Sequence, residues 1–169
     1  MLSMFLLSLT MMGQGTVITK YFNRFADNEE FTKVSVSQKM FSLFTNLEAG
    51  SAAEKEFLQA AGKLKGLKAI MADSIPNSAV LYKQAITDLN KAAYEELVSI
   101  NDARGNMLFS IKESNGIISE LIMVAGDKKQ FIMVSLYGEI DLKNISKIAQ
   151  QMHINGLDQL KHIDDGKHK

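Results

Sequence analysis

Residues 106–140 run NMLFSIKESNGIISELIMVAGDKKQFIMVSLYGEI, and the way this stretch folds decides the architecture of the chain. It divides into extended segments at 106–113, 117–125 and 131–140, separated by Ser114-Asn-Gly116 and by Gly126-Asp127. Links this short force antiparallel neighbours, because a parallel return needs a crossover of about a dozen residues. A further extended segment, Glu96-Leu-Val-Ser-Ile100, precedes the tight loop Asn101-Asp-Ala-Arg-Gly105. The C-terminal half therefore predicts a four-strand meander.

Upstream, Phe31-Thr-Lys-Val-Ser-Val36 alternates apolar and polar residues, the pattern of a half-buried strand. Ser37 is placed to cap a helix over 38–47, whose Met40, Phe41, Phe44 and Leu47 share one face. Ser51-Ala-Ala-Glu54 has capping-box spacing, and the helix it opens turns Phe57, Leu58 and Ala61 inward and stops at Gly62. Residues 64–71 form a second strand, and Asp73-Ser-Ile-Pro-Asn77, with the only proline, forms a turn. Leu81, Ala85, Ile86, Leu89 and Ala92 recur at helical spacing over 78–92. A last helix is expected over 144–152. Ahead of all this, Tyr21, Phe22 and Phe25 place one helical turn against the core within a lead-in segment, 14–30. The sum is an α+β, two-layer fold: a mostly antiparallel sheet of about six strands with helices packed on one face.

The chain has 169 residues, 46% hydrophobic and 22% charged, the composition of one ordinary globular domain. Nineteen basic residues balance nineteen acidic ones, so no global field recruits nucleic acid or an anionic membrane. The absence of cysteine excludes disulfides, thiolate catalysis, Cys-ligated metal clusters and lipid attachment through an N-terminal cysteine. Met1 to Met12 is nearly continuous apolar sequence followed by Gly13-Gln-Gly15, the length of a signal-peptide core and too short to span a bilayer. No Lys or Arg precedes it. Residues 1–13 are expected to be a signal peptide cleaved after Gly13, 31–155 a single α+β domain and 156–169 a polar tail. No other run reaches transmembrane length, so a periplasmic or secreted location follows as an expectation.

The ordered elements carry a resemblance. Phe31-Thr-Lys-Val-Ser-Val-Ser-Gln-Lys-Met-Phe-Ser-Leu-Phe44, Lys65-Gly-Leu-Lys68, Tyr94-Glu-Glu-Leu97, Ile118-Ser-Glu-Leu121 and Gly138-Glu-Ile-Asp-Leu-Lys-Asn-Ile-Ser-Lys147 together resemble the domain-of-unknown-function 4252 family. The resemblance covers most of positions 20–155. It implies a small secreted or lipoprotein-like envelope domain of Bacteroidetes-type bacteria, with no assigned activity and no catalytic residues to carry over. The missing leader cysteine favours a soluble periplasmic protein over an anchored one.

Glu139 and Asp141, at i and i+2 where a strand pattern meets a helical one, are the only carboxylate pair that suggests acid–base chemistry. Asp141 is better explained as the N-cap of the helix that follows, with Gly138 as a bulge or strand exit. His153, His162 and His168 with Asp158, Asp164 and Asp165 lack metal-binding spacing and are assigned to a solvated tail. No nucleophile elbow or phosphate cradle is present. Lys63, Lys65 and Lys68 lack interleaved aromatic residues and fit a solvated strand face rather than a nucleic-acid site. Met40, Met71, Met107, Met123 and Met133 are expected as core filler. Asp73-Ser74-Ile75 resembles an O-glycosylation acceptor of Bacteroidetes-type envelopes, which makes Ser74 a candidate modification site. Asn144-Ile-Ser146 matches an N-glycosylation sequon. No catalytic, cofactor or metal residue is assigned. The expected function is a non-enzymatic envelope module that binds a protein or small ligand through its sheet face or loops and is open to self-association. The alternatives are a hydrolase using Glu139 or Asp141 with the 73–77 or 101–105 loop, and an accessory or sensor of an envelope stress system.

Overall fold

The computed structural model describes residues 16–46, 48–103 and 105–141. The expected leader, the helix over 144–152, the histidines and the sequon lie outside these residues. In chain order the elements are α1 (Val17–Arg24), β1 (Phe31–Ser37), α2 (Gln38–Phe44), α3 (Ala52–Gly62), β2 (Leu64–Ala72), α4 (Ser78–Lys91), β3 (Glu95–Asp102), β4 (Gly105–Ser114), β5 (Ile117–Gly126) and β6 (Phe131–Ile140). The strands form one antiparallel sheet in the order β1-β2-β6-β5-β4-β3, so the meander is present and β2 pairs with its last strand. The chain is α+β, as expected.

Local chemistry accounts for the element boundaries. Ser51 Oγ accepts from the Glu54 amide at 3.2 Å, and Glu54 Oε2 accepts from the Ser51 amide at 3.1 Å, completing the capping box of α3. Ser37 behaves differently from its expected role. It occupies the N-cap position of α2 but makes no side-chain cap hydrogen bond. Its backbone is still extended and paired with Gly66, so β1 runs directly into α2.

Side-chain alternation gives the sheet two faces. On the first, α1 and α4 cover Ile70, Leu108, Ile122, Val124, Phe131 and Met133. Here α1 is more than one docked turn: Ile18 and Tyr21 are fully buried. The Tyr21 ring stacks on Phe131 with centroids 5.9 Å apart, and Phe25 stacks on Phe31 at 3.9 Å. Asp88 of α4 ties the two helices together, accepting from Tyr21 Oη at 3.1 Å and pairing with Lys20 Nζ at 2.8 Å.

The second face carries three parallel cross-strand rows. The first is Val36–Leu67–Leu136–Leu121–Ile111–Glu95, and the second is Val34–Ala69–Val134–Met123–Phe109–Val98. The third is Thr32–Met71–Ile132–Ala125–Met107–Ile100. Only Thr32 and Glu95 interrupt this apolar surface. Near the first row, Phe41 of α2 packs with Leu64, Ile111, Ile118, Leu121 and Ile140 in a second cluster. Register shifts between Leu64 and Gly66 and between Ile118 and Glu120 bring Leu64 and Ile118 to this face, against the alternation of their own strands. The methionines do not all serve as core filler. Met133 is fully buried, whereas Met71, Met107 and Met123 are half-buried on the second face and Met40 is exposed.

Candidate functional site

Three connections converge at the end of the sheet where β6 begins: 73–77 after β2, Ala103 after β3 and 127–130 after β5. They are stitched to one another. Asp127 Oδ1 accepts from the Lys129 and Gln130 amides at 2.7 and 2.6 Å. These donors hold the Asp127 carboxyl below its ordinary value, because they stabilise the charged form. Gln130 Nε2 donates to Asp73 Oδ1 at 2.8 Å, the Ile75 amide donates to the Lys129 carbonyl at 2.9 Å, and Ser78 Oγ donates to the Asp127 carbonyl at 2.7 Å.

Two clefts open among these connections. One, of about 630 Å³, is lined by Asp73, Ser74, Ala103, Asp127, Lys128 and Lys129. The other, of about 460 Å³, lies on the second face of the sheet. Its floor is the end of the third cross-strand row, Ile100, Met107, Ala125 and Ile132, and its rim includes Asp102, Asn106, Asp127 and Gln130. Asp127 and Gln130 border both clefts. An apolar floor with a few convergent polar groups is the usual make-up of a ligand site.

A second polar constellation lies inside the protein, on the helix-covered face. Glu120 is only 3% exposed, yet both of its carboxylate oxygens are engaged. Tyr94 Oη donates to Oε2 at 2.6 Å and Ser135 Oγ donates to Oε1 at 2.5 Å. Ser135 is completely buried. The Tyr94 hydroxyl titrates above its ordinary range, first because it is buried and then because it donates to Glu120. The Val17 amide at the start of α1 also contacts the Tyr94 oxygen. Glu120 was not singled out from sequence, although the Tyr94-Glu-Glu-Leu97 and Ile118-Ser-Glu-Leu121 motifs each contain one partner of the pair. Neither cleft is lined by the trio, so its chemistry is that of a satisfied internal network rather than an open site.

The family model described as Domain of unknown function (DUF4252) matches residues 21–148. The chain belongs to the DUF4252 family. No curated protein and no solved structure matches it. The DUF4252 match begins inside α1 and takes in all six strands, both clefts and the Glu120 network.

Within this DUF4252 domain the two conspicuous carboxylates are far from the clefts. Glu139 is exposed near the end of β6, where its Oε1 pairs with Lys63 Nζ at 2.5 Å and its amide donates to the Lys63 carbonyl at 3.1 Å. Eight residues of strand, roughly 26 Å at about 3.3 Å per residue, separate it from Phe131 at the loop end. The structure therefore does not bring Glu139 together with the 73–77 or 101–105 loops. Asp141 is exposed one residue beyond β6, and the helix it was expected to cap lies outside the described residues. Ser74 is exposed with φ of 61° on the lip of the larger cleft, so the candidate modification position faces solvent.

The lysines diverge from the expected solvated patch. Lys63 follows α3 and pairs with Glu139, while Lys68 is half-buried on the helix-covered face. Lys68 donates to Thr19 Oγ1 at 3.1 Å and lies 5.5 Å from the Phe22 ring centroid. Lys65 is exposed within the register shift between Leu64 and Gly66 while Lys68 packs beside α1, so the three lysines do not form one solvated patch. Among the described residues no group of three His, Cys, Asp or Glu side chains is placed to hold a metal ion, and no helix is long and apolar enough to cross a membrane.

Proposed function

We propose that this DUF4252 domain is a secreted or periplasmic binding module with no catalytic activity of its own. Its ligand site is the 460 Å³ cleft on the second face of the sheet. The observation that carries this reading is the floor of that cleft, a continuous cross-strand row of Ile100, Met107, Ala125 and Ile132 bordered by carboxylate and amide side chains. Such a surface fits a ligand or peptide with an apolar body and a polar or cationic end. The short apolar run at 1–12 supports the envelope location, and N-terminal sequencing of the exported protein is expected to find Gln14 first.

The binding proposal is tested with 8-anilino-1-naphthalenesulfonate as an apolar probe on the full chain. The expected result is saturable fluorescence that Ala125→Arg abolishes, since the new side chain projects from the centre of the floor. A surface control, Lys128→Ala, is expected to leave it unchanged. Unaltered probe binding in a folded Ala125→Arg variant would exclude the cleft as the site.

A further inference from the structure

The second face poses a physical problem that the described helices do not solve. An antiparallel sheet with one solvated face shows polar residues on that face, whereas strands covered on both sides are apolar throughout. Here 121–125 and 131–134 are unbroken apolar runs, and two of the three second-face rows are apolar except at Glu95. The principal helix contacts are α1 with β2 and β6, α4 with β5 and β6, and α2 with β1 and β2. Yet Phe109 and Ile111 of β4 are 1% and 4% exposed on the second face. The third row is half-buried from Met71 through Ile100.

We infer that the C-terminal segment after Asp141 docks as a helix across the first two rows of this face, over β6, β5, β4 and β3. The chain arrives in the right place: β6 ends at Ile140, which is buried in the second-face cluster with Leu121 and Ile111. It carries the right pattern: Leu142, Ile145, Ile148, Ala149 and Met152 form one stripe at i, i+3, i+6, i+7 and i+10. It also has the right length. A helix over 144–152 extends about 13 Å at about 1.5 Å per residue, and the distance from β6 to β3 is three strand spacings, about 14 Å at about 4.8 Å each. A helix about 10 Å wide covers two rows spaced about 7 Å apart and leaves the third free. The free row is the floor of the proposed ligand cleft.

The absence of native cysteine permits a clean test in the full chain. Met123→Cys, in the middle of the second row, is combined with a single cysteine at each position from 144 to 152, and short-range cross-linking is measured under mild oxidation. The expected result is an intramolecular cross-link in the monomer whose yield is highest at 145 and 148, the stripe positions nearest β5, declines through 149 to 152 as the helix moves on towards β3, and is low at 146, 147, 150 and 151. Cross-links that join two chains would assign the face to a second copy and overturn the inference. A yield without helical periodicity, or no cross-link at any position, would also overturn it. As a second readout, Ile145→Asp with Ile148→Asp is expected to uncover the rows and raise probe fluorescence even when Ala125→Arg blocks the cleft. That combination separates failure of the docked helix from failure of the ligand site.

Discussion

Replacing Glu120 tests whether the internal network holds the helix layer to the sheet. Glu120→Ala removes the shared acceptor of two buried hydroxyls, Tyr94 Oη and Ser135 Oγ. A hydrogen bond to a charged group contributes about 1.5–3 kcal/mol, and an orphaned buried hydroxyl costs about 1–3 kcal/mol. Releasing a carboxylate from a buried site offsets part of this. The net expectation is a loss of about 3–4 kcal/mol, or a fall in Tm of roughly 10 °C for a domain of this size. Urea denaturation of Glu120→Ala, Ser135→Ala and the double variant measures the coupling, expected at about 1–3 kcal/mol because Ser135 has nothing left to donate to once Glu120 is gone. Additive losses in the cycle, or a Glu120→Ala variant within about 0.5 kcal/mol of the parent, would refute the reasoning.

Two further expectations concern backbone and pH. Gly138 has φ of 147°, and an added Cβ would lie 2.6 Å from the Lys63 carbonyl oxygen and 2.8 Å from Leu64 Cα. Gly138→Ala is therefore expected to cost about 2–3 kcal/mol in urea denaturation, whereas Gly116→Ala, in an open turn, costs about 1 kcal/mol through backbone strain alone. Tyr94 and Tyr21 both titrate above their ordinary value, mainly through burial and then through Glu120 and Asp88 respectively. Above about pH 10 the folded state therefore holds protons that the unfolded state has lost, so the stability these groups contribute is complete below that pH and declines as pH rises through it. Tyr94→Phe is expected to lower stability at neutral pH but to flatten the alkaline decline, as followed by thermal melts between about pH 8 and 11.

The strands, their antiparallel order in the meander and the capping box were legible because each rests on local signals: period-two alternation, short turns, and Ser51 three residues before Glu54. The depth of α1 was not. Its mean pattern is polar, and Ile18 and Tyr21 are buried only because Phe131 and Asp88, more than sixty residues away in sequence, receive them. The cleft floor was equally hidden, since Ile100, Met107, Ala125 and Ile132 sit on four different strands and become one row only when register is known. Glu139 and Asp141 drew attention because two carboxylates at i and i+2 are visible in any linear reading. Glu120 escaped it because Ser119-Glu120 passes for a polar pair at the solvated end of a strand, and only pairing with Ser135 and Tyr94 gives it a meaning.

The register shifts also change how substitutions in this domain should be scored. A strand is a message with two alternating letters, inward and outward, and each bulge acts as a frameshift. In β5 the body is read in one frame and Ile118 in the other; β2 does the same at Leu64. A substitution profile that keeps a single frame along β5 would label Ile118 and Glu120 as neighbours on one side, and would treat charge as equally tolerable at both. Their actual positions, on opposite faces of the sheet, mean that tolerance inverts within three residues. A single-residue deletion at Ser119 removes the extra residue and leaves Ile118 on the face opposite Glu120 by plain alternation, so it disturbs the layers less than a deletion in the regular body of β5, which inverts every residue on one side of it.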